Sequence, residues 1–153
     1  MLRFLSFALL VVLFSTCKKK EEAPSAPSDQ PALDEKIITD YIAANKLDAK
    51  ATGSGLYYVI RTEGTGRNPN SSSSVSADYR GYLPTGGVFD QGTNVPFNLG
   101  GVIKGWQEGI PYFKEGGKGI LLIPSALAYG SQAKSNIPAN SVLIFDITLI
   151  KIN

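Results

Sequence analysis

The side chains best placed to do chemistry in this chain are aromatic. Tyr79, Phe89, Trp106, Tyr129 and Phe145 stand beside glycines and turns. There they could line an apolar pocket with a few polar handles. The same residues would serve as a plain hydrophobic core, and composition alone favours that plainer reading. Other chemistries are excluded by what is missing. The 153 residues contain no histidine, so imidazole zinc sites, Ser-His-Asp triads and Cys-His dyads cannot be assembled from this chain. One cysteine permits neither an intrachain disulfide nor a multi-cysteine metal site. Glu63, Asp78, Asp90, Glu108, Glu115 and Asp146 are scattered rather than grouped as a metal loop requires. There is no phosphate-cradling glycine loop and no nucleophile elbow. A net charge of +2 is too small to suggest nucleic acid as a partner.

The elements that must position these residues lie in the second half. All 16 glycines fall from Gly53 onward. Gly55–Thr62 and Val75–Leu83 are β-rich runs separated by a polar loop, and Gly86-Gly87 signals a tight turn. Short runs follow at 88–90 and 95–99. Ile103–Phe113 suits a short helix, and Gly119–Ile123 is a strand stopped by Pro124. In Ser141–Ile152, Leu143, Phe145, Ile147 and Leu149 alternate on one face. Strands plus one short helix predict an α+β domain over 53–153, an antiparallel sheet wrapped around that helix.

The first half reads differently. Residues 1–16 have the form of a secretory signal: Arg3, then an apolar stretch from Phe4 to Phe14. That stretch is too short for a bilayer, which takes roughly 20 residues. It ends at Cys17, followed by three lysines. A lone cysteine after a short apolar stretch resembles a bacterial lipoprotein's lipobox, in a relaxed form similar to those of Bacteroidetes. The resemblance implies lipidation of Cys17 and anchorage on a membrane. Residues 17–30 are charged and rich in Pro and Ser, a composition expected to stay disordered as a tether. Within 31–52, Leu33, Ile37, Ile38, Tyr41 and Ile42 make a stripe over a helix at 31–45, with Pro31, Asp34 and Glu35 suited to its first turn. That helix could dock a partner or a second copy. The plainer reading is favoured, that it packs on its own domain or spaces it from the membrane.

Six strings, in order, carry a more specific resemblance. They are Tyr79-Arg80-Gly81-Tyr82-Leu83, Gly87-Val88-Phe89-Asp90, and Val102-Ile103-Lys104-Gly105-Trp106-Gln107-Glu108-Gly109. They continue as Ile123-Pro124 with Leu127-Ala128-Tyr129-Gly130, then Ile137-Pro138-Ala139-Asn140-Ser141, and Leu143-Ile144-Phe145-Asp146-Ile147. Together they resemble the FKBP-type peptidyl-prolyl cis–trans isomerases over Gly53–Asn153. The resemblance implies an apolar cleft between sheet and helix. Trp106 would be its floor; Tyr79, Phe89, Val102, Ile103, Tyr129 and Phe145 its walls. Asp90 would be the polar residue beside Phe89. Tyr129 and the Ile103 amide would bond ligand carbonyls, and Ile137 would overhang the cleft. Either Val95 or Phe97 would fill the next wall position; register favours Val95, with Phe97 in the core.

The implied function is peptidyl-prolyl isomerisation. It needs no cofactor or metal, which suits a chain without histidine. Its expected ligands are proline-containing unfolded or exported polypeptides, with the family's macrolide inhibitors a further class. The expected location is the bacterial envelope, periplasm-facing or on the cell surface. The alternative is a low-turnover chaperone or docking lipoprotein of an envelope complex, such as a gliding-motility system.

Overall fold

The computed structural model describes residues 29–153. The signal-like segment, Cys17 and most of the tether lie outside the described residues. In chain order the elements are α1 (Gln30–Ala44), β1 (Lys50–Ala51), β2 (Tyr57–Thr62), β3 (Ser74–Tyr82), β4 (Val88–Asn98), α2 (Lys104–Gly109), β5 (Lys118–Ile123) and β6 (Leu143–Ile152). Short 3-10 turns occupy Leu99–Gly101, Ile110–Tyr112 and Ser125–Leu127. The six strands form one antiparallel sheet in the order β1-β2-β5-β6-β3-β4. The α+β expectation is met. Among the described residues no helix is long and apolar enough to cross a membrane.

Both faces of the sheet are covered at its centre. On one face Leu121, Ile123, Leu143, Phe145, Ile147 and Leu149 pack against Trp106 of α2 and against Ile110 and Phe113 just after it. Gly105 lets α2 approach: a Cβ there would stand 2.4 Å from Ile123 Cγ2. On the other face Val59, Ile120, Leu122 and Ile144 pack under Ile38 of α1. The alternation in β6 correctly picks out its first face. It misses the second, because Ile144 is buried by a helix about a hundred positions away.

Two details depart from the sequence pattern. The runs at 88–90 and 95–99 are joined into one strand, β4. Pro96 cannot donate to a ladder, but β4 is the sheet's edge, where that loss is tolerated. α1 is also rotated from the expected stripe. Its buried residues are Asp34 and Ile38, while Leu33 and Ile37 remain 54% and 39% exposed. The helix begins at Gln30, so Asp34 and Glu35 fall beyond its first turn and the expected dipole role is corrected. Asp34 is instead hydrogen-bonded to Ser125 of the domain, and those two bonds go with the rotation.

Candidate functional site

Between α2 and the sheet lies a cleft of about 680 Å³. β3 brings Tyr79, β4 brings Phe89, Asp90 and Phe97, and β6 brings Phe145. Val102 and Ile103 come from the approach to α2, and Trp106 from its first turn. Tyr129 and Ile137 come from the segment between β5 and β6. Trp106 is the hub: its ring lies 4.9 Å from Phe97, 5.3 Å from Phe145 and 5.5 Å from Tyr79, each edge-on. Phe89 meets Phe145 edge-on at 5.5 Å. Such offset contacts suit ring quadrupoles, at about 0.5–1.5 kcal/mol per pair. Of the site residues suggested by sequence, all but Val95 and the undescribed Cys17 line this cleft.

Consecutive residues of a regular strand point to opposite faces, yet Phe89 and Asp90 both line the cleft. The register explains it. Gly81 pairs with Asp90 and Tyr82 with Val88, so Phe89 is the extra, unpaired residue of a bulge. A second bulge decides between Val95 and Phe97. Ala77 pairs with Val95 but Tyr79 with Gly92, and Asn94 takes a left-handed φ of 52° with its N–H bonded to Asp78 at 2.8 Å. Val95 therefore settles over Gly92, its Cγ2 2.6 Å from where a Cβ of that glycine would stand. Phe97 is the residue that reaches the cleft, so the preference for Val95 is corrected.

The polar groups are few. Tyr79 Oη donates to Asp90 Oδ2 at 2.9 Å. Burial, and then that bond to a carboxylate, push the Tyr79 hydroxyl up to about 12, so it stays a donor at all ordinary pH. Trp106 Nε1 is buried with no hydrogen-bond partner. Lys134, Ser135 and Asn136 also line the cleft, which the sequence strings did not indicate. They form a tight turn closed by bonds between Lys134 and Ile137, with Ser135 at φ 39°. The turn tucks Ile137 in at 7% exposure and holds Lys134 Nζ 6.0 Å from the Tyr129 ring centre. A second missed contributor is Gly81. A Cβ there would stand 2.5 Å from Phe89 Cε2 and 2.7 Å from Phe145 Cε1, so the two wall rings close only over a bare backbone. Among the described residues no acidic or thiol groups gather as a metal site would require.

Comparison with known proteins agrees with this architecture. Residues 65–150 match the family model described as FKBP-type peptidyl-prolyl cis-trans isomerase. The chain is 39% identical over 141 residues to the FKBP-type isomerase FkpA of Aeromonas hydrophila, covering 88% of this chain and 53% of that protein. It superimposes on the crystal structure of FkpA from Escherichia coli with a TM-score of 0.71 and 37% identity, covering 82% of this chain and 62% of the other. A peptidyl-prolyl isomerase from Pseudomonas syringae gives the same TM-score at 32% identity, over 86% of this chain and 99% of that one. The chain spans about half the length of the curated relatives it matches.

Proposed function

The chain belongs to the FKBP-type peptidyl-prolyl cis–trans isomerase family, and from that footing we propose that it isomerises X–Pro bonds of exported polypeptides at the bacterial envelope. The observation that carries the reading is the convergence of six aromatic rings, Tyr79, Phe89, Phe97, Trp106, Tyr129 and Phe145, on one cleft with a single carboxylate at its rim. Members of the family act on proline-containing polypeptides, and a cleft of this size accommodates a prolyl ring with its neighbours.

The chemistry follows from the amide. Resonance opposes rotation with a barrier of about 18–20 kcal/mol. The twisted transition state has lost part of that resonance and is less polar than the planar ground state. A water-poor aromatic pocket therefore withdraws solvation from the planar form and fits the twisted one by shape. Trp106 supports the prolyl ring. Tyr79, Phe89, Phe97 and Phe145 enclose it, with Val102, Ile103 and Ile137 completing the apolar lining. Tyr129 and the Ile103 amide hold the flanking carbonyls. Asp90, fixed by Tyr79 Oη, keeps the rim polar and orders the Tyr79 ring. No bond is made or broken, so the residues named need only bind, orient and exclude water.

In this reading residues 53–153 are the isomerase domain and 31–52 a helix with its linker. Residues 17–30 tether the domain to lipid carried on Cys17, and 1–16 direct export. The family's macrolide inhibitors would occupy the same cleft as the peptide. The test is a protease-coupled isomerisation assay on a purified chain beginning near Lys18, using Xaa-Pro peptides. Turnover well above the uncatalysed rate, blocked by a macrolide inhibitor, is expected. Peptide binding without turnover would refute the enzyme reading and leave a docking protein.

A further inference from the structure

The loop that carries Tyr129 is tied to α1, a helix that lies outside residues 65–150 matched by the family model. Asp34 of α1 is 1% exposed, an unusual burial for a carboxylate. Its Oδ2 accepts the Ser125 backbone N–H at 2.8 Å and the Ser125 hydroxyl at 2.6 Å, both bonds buried. Its Oδ1 accepts Gln30 Nε2 at 2.7 Å. Among the described residues no cation pairs with it. Ser125 then passes the constraint on. Its carbonyl accepts the N–H groups of Ala128 at 3.0 Å and Gly130 at 2.8 Å, the two residues flanking Tyr129. The Gly130 carbonyl accepts the Asn140 N–H at 2.7 Å, closing the segment that bears Lys134 and Ile137. An apolar residue at 34 would add burial with no preferred direction; a buried charge is poor evidence for stability as such. Two short directional bonds instead fix where Ser125 stands.

We propose that Asp34 is a positioning residue for the cleft: through Ser125 it sets the Tyr129 loop, and so couples α1 to the substrate site. The proposal rests on the isomerase reading above. α1 supplies its own control. Ile38, one turn further along, packs on the opposite face of the sheet with Val59, Ile120 and Ile144, none of which lines the cleft.

The experiment compares Asp34→Ala and Ile38→Ala in the chain beginning near Lys18, at a temperature where both remain folded. Asp34→Ala is expected to lower kcat/KM about tenfold, the scale of a small misplacement at a reacting centre. Ile38→Ala is expected to lose at least as much stability and to keep kcat/KM within about twofold of wild type, as distant packing changes do. Asp34→Asn, which retains an acceptor for Ser125, is expected to recover most of the loss. In a Tyr129→Phe background the effect of Asp34→Ala should shrink, because coupled residues are not additive. Equal losses from Asp34→Ala and Ile38→Ala, or full additivity with Tyr129→Phe, would overturn the proposal. If Asp34→Ala does not fold, Ser125→Ala removes only the hydroxyl bond; a severalfold loss supports the proposal and unchanged kcat/KM overturns it. Wild-type protein without turnover would sink the isomerase reading instead. Amide exchange then decides: lost protection at Gly130 and Asn140 in Asp34→Ala supports the clamp, and unchanged protection refutes it.

Discussion

Gly81→Ala adds one methyl group and should disable the cleft without touching a residue that binds substrate. The added Cβ would stand 2.5 and 2.7 Å from Phe89 Cε2 and Cζ, and 2.7 Å from Phe145 Cε1. Carbon atoms rest at about 3.5–4.0 Å, so a ring must retreat by about 1 Å. Phe145 has little room, being 6% exposed and held edge-on by Trp106 at 5.3 Å. Phe89 is half-buried at the lip of the cleft and swings outward. Alanine's lower unfolded-state entropy returns about 0.5–1 kcal/mol. Overpacking costs about 1–3 kcal/mol, and loss of the Phe89–Phe145 pair about 0.5–1.5 kcal/mol. The net destabilisation is therefore about 0.5–4 kcal/mol, below the about 5–15 kcal/mol of a typical domain, so the chain stays folded. Displacing a wall by about 1 Å should reduce kcat/KM by about 10- to 100-fold. The assay is protease-coupled isomerisation, with urea denaturation on the same preparations. Phe89→Ala should give a comparable loss of activity, since both changes remove the same wall. Gly81→Ala with Phe89→Leu should regain stability but not activity. A folded Gly81→Ala protein with kcat/KM within twofold of wild type would refute the reasoning.

Phe97→Ala should lower kcat/KM several-fold or more, while Val95→Ala changes it little, because only Phe97 touches Trp106; the reverse order in the same assay would contradict the bulged register. With no histidine in the chain, kcat/KM for a peptide without titratable groups should be flat between about pH 5.5 and 8; a bell-shaped profile lost in Asp90→Asn would instead make Asp90 a general acid. At alkaline pH the Tyr79 hydroxyl is raised from 10.0 to about 12 in the folded protein, so its contribution to stability is complete below pH 10 and lost as pH rises toward 12. Urea midpoints of wild type and Tyr79→Phe should therefore converge over that range. Cys17→Ser should abolish membrane fractionation and leave isomerisation unchanged; wild-type protein that takes up no labelled palmitate would rule out the lipid anchor.

What the chain lacks narrowed the class of chemistry, and the six ordered strings pointed to most of the cleft. Absent histidine and a lone cysteine left aromatic residues as the working groups. Turn glycines and alternating apolar runs placed Tyr79, Trp106 and Phe145 on strands and a short helix, because alternation and glycine conformation are local properties of the chain. That these elements share one cleft was implied only by the resemblance of the six strings to the FKBP-type isomerases. The tertiary structure decided what depends on partners distant in sequence. Phe97 rather than Val95 reaches the cleft, and Phe89 and Asp90 share it, because extra residues in β4 are absorbed as bulges against β3; a period-two pattern cannot show which residue a neighbouring strand leaves unpaired. Lys134 joins the rim because a tight turn folds back over Tyr129. α1 turns Asp34 inward and leaves Leu33 and Ile37 in solvent, against its own apolar stripe. The reason is energetic: a buried carboxylate needs donors, and Ser125, 91 positions away, supplies two of them only in the folded chain.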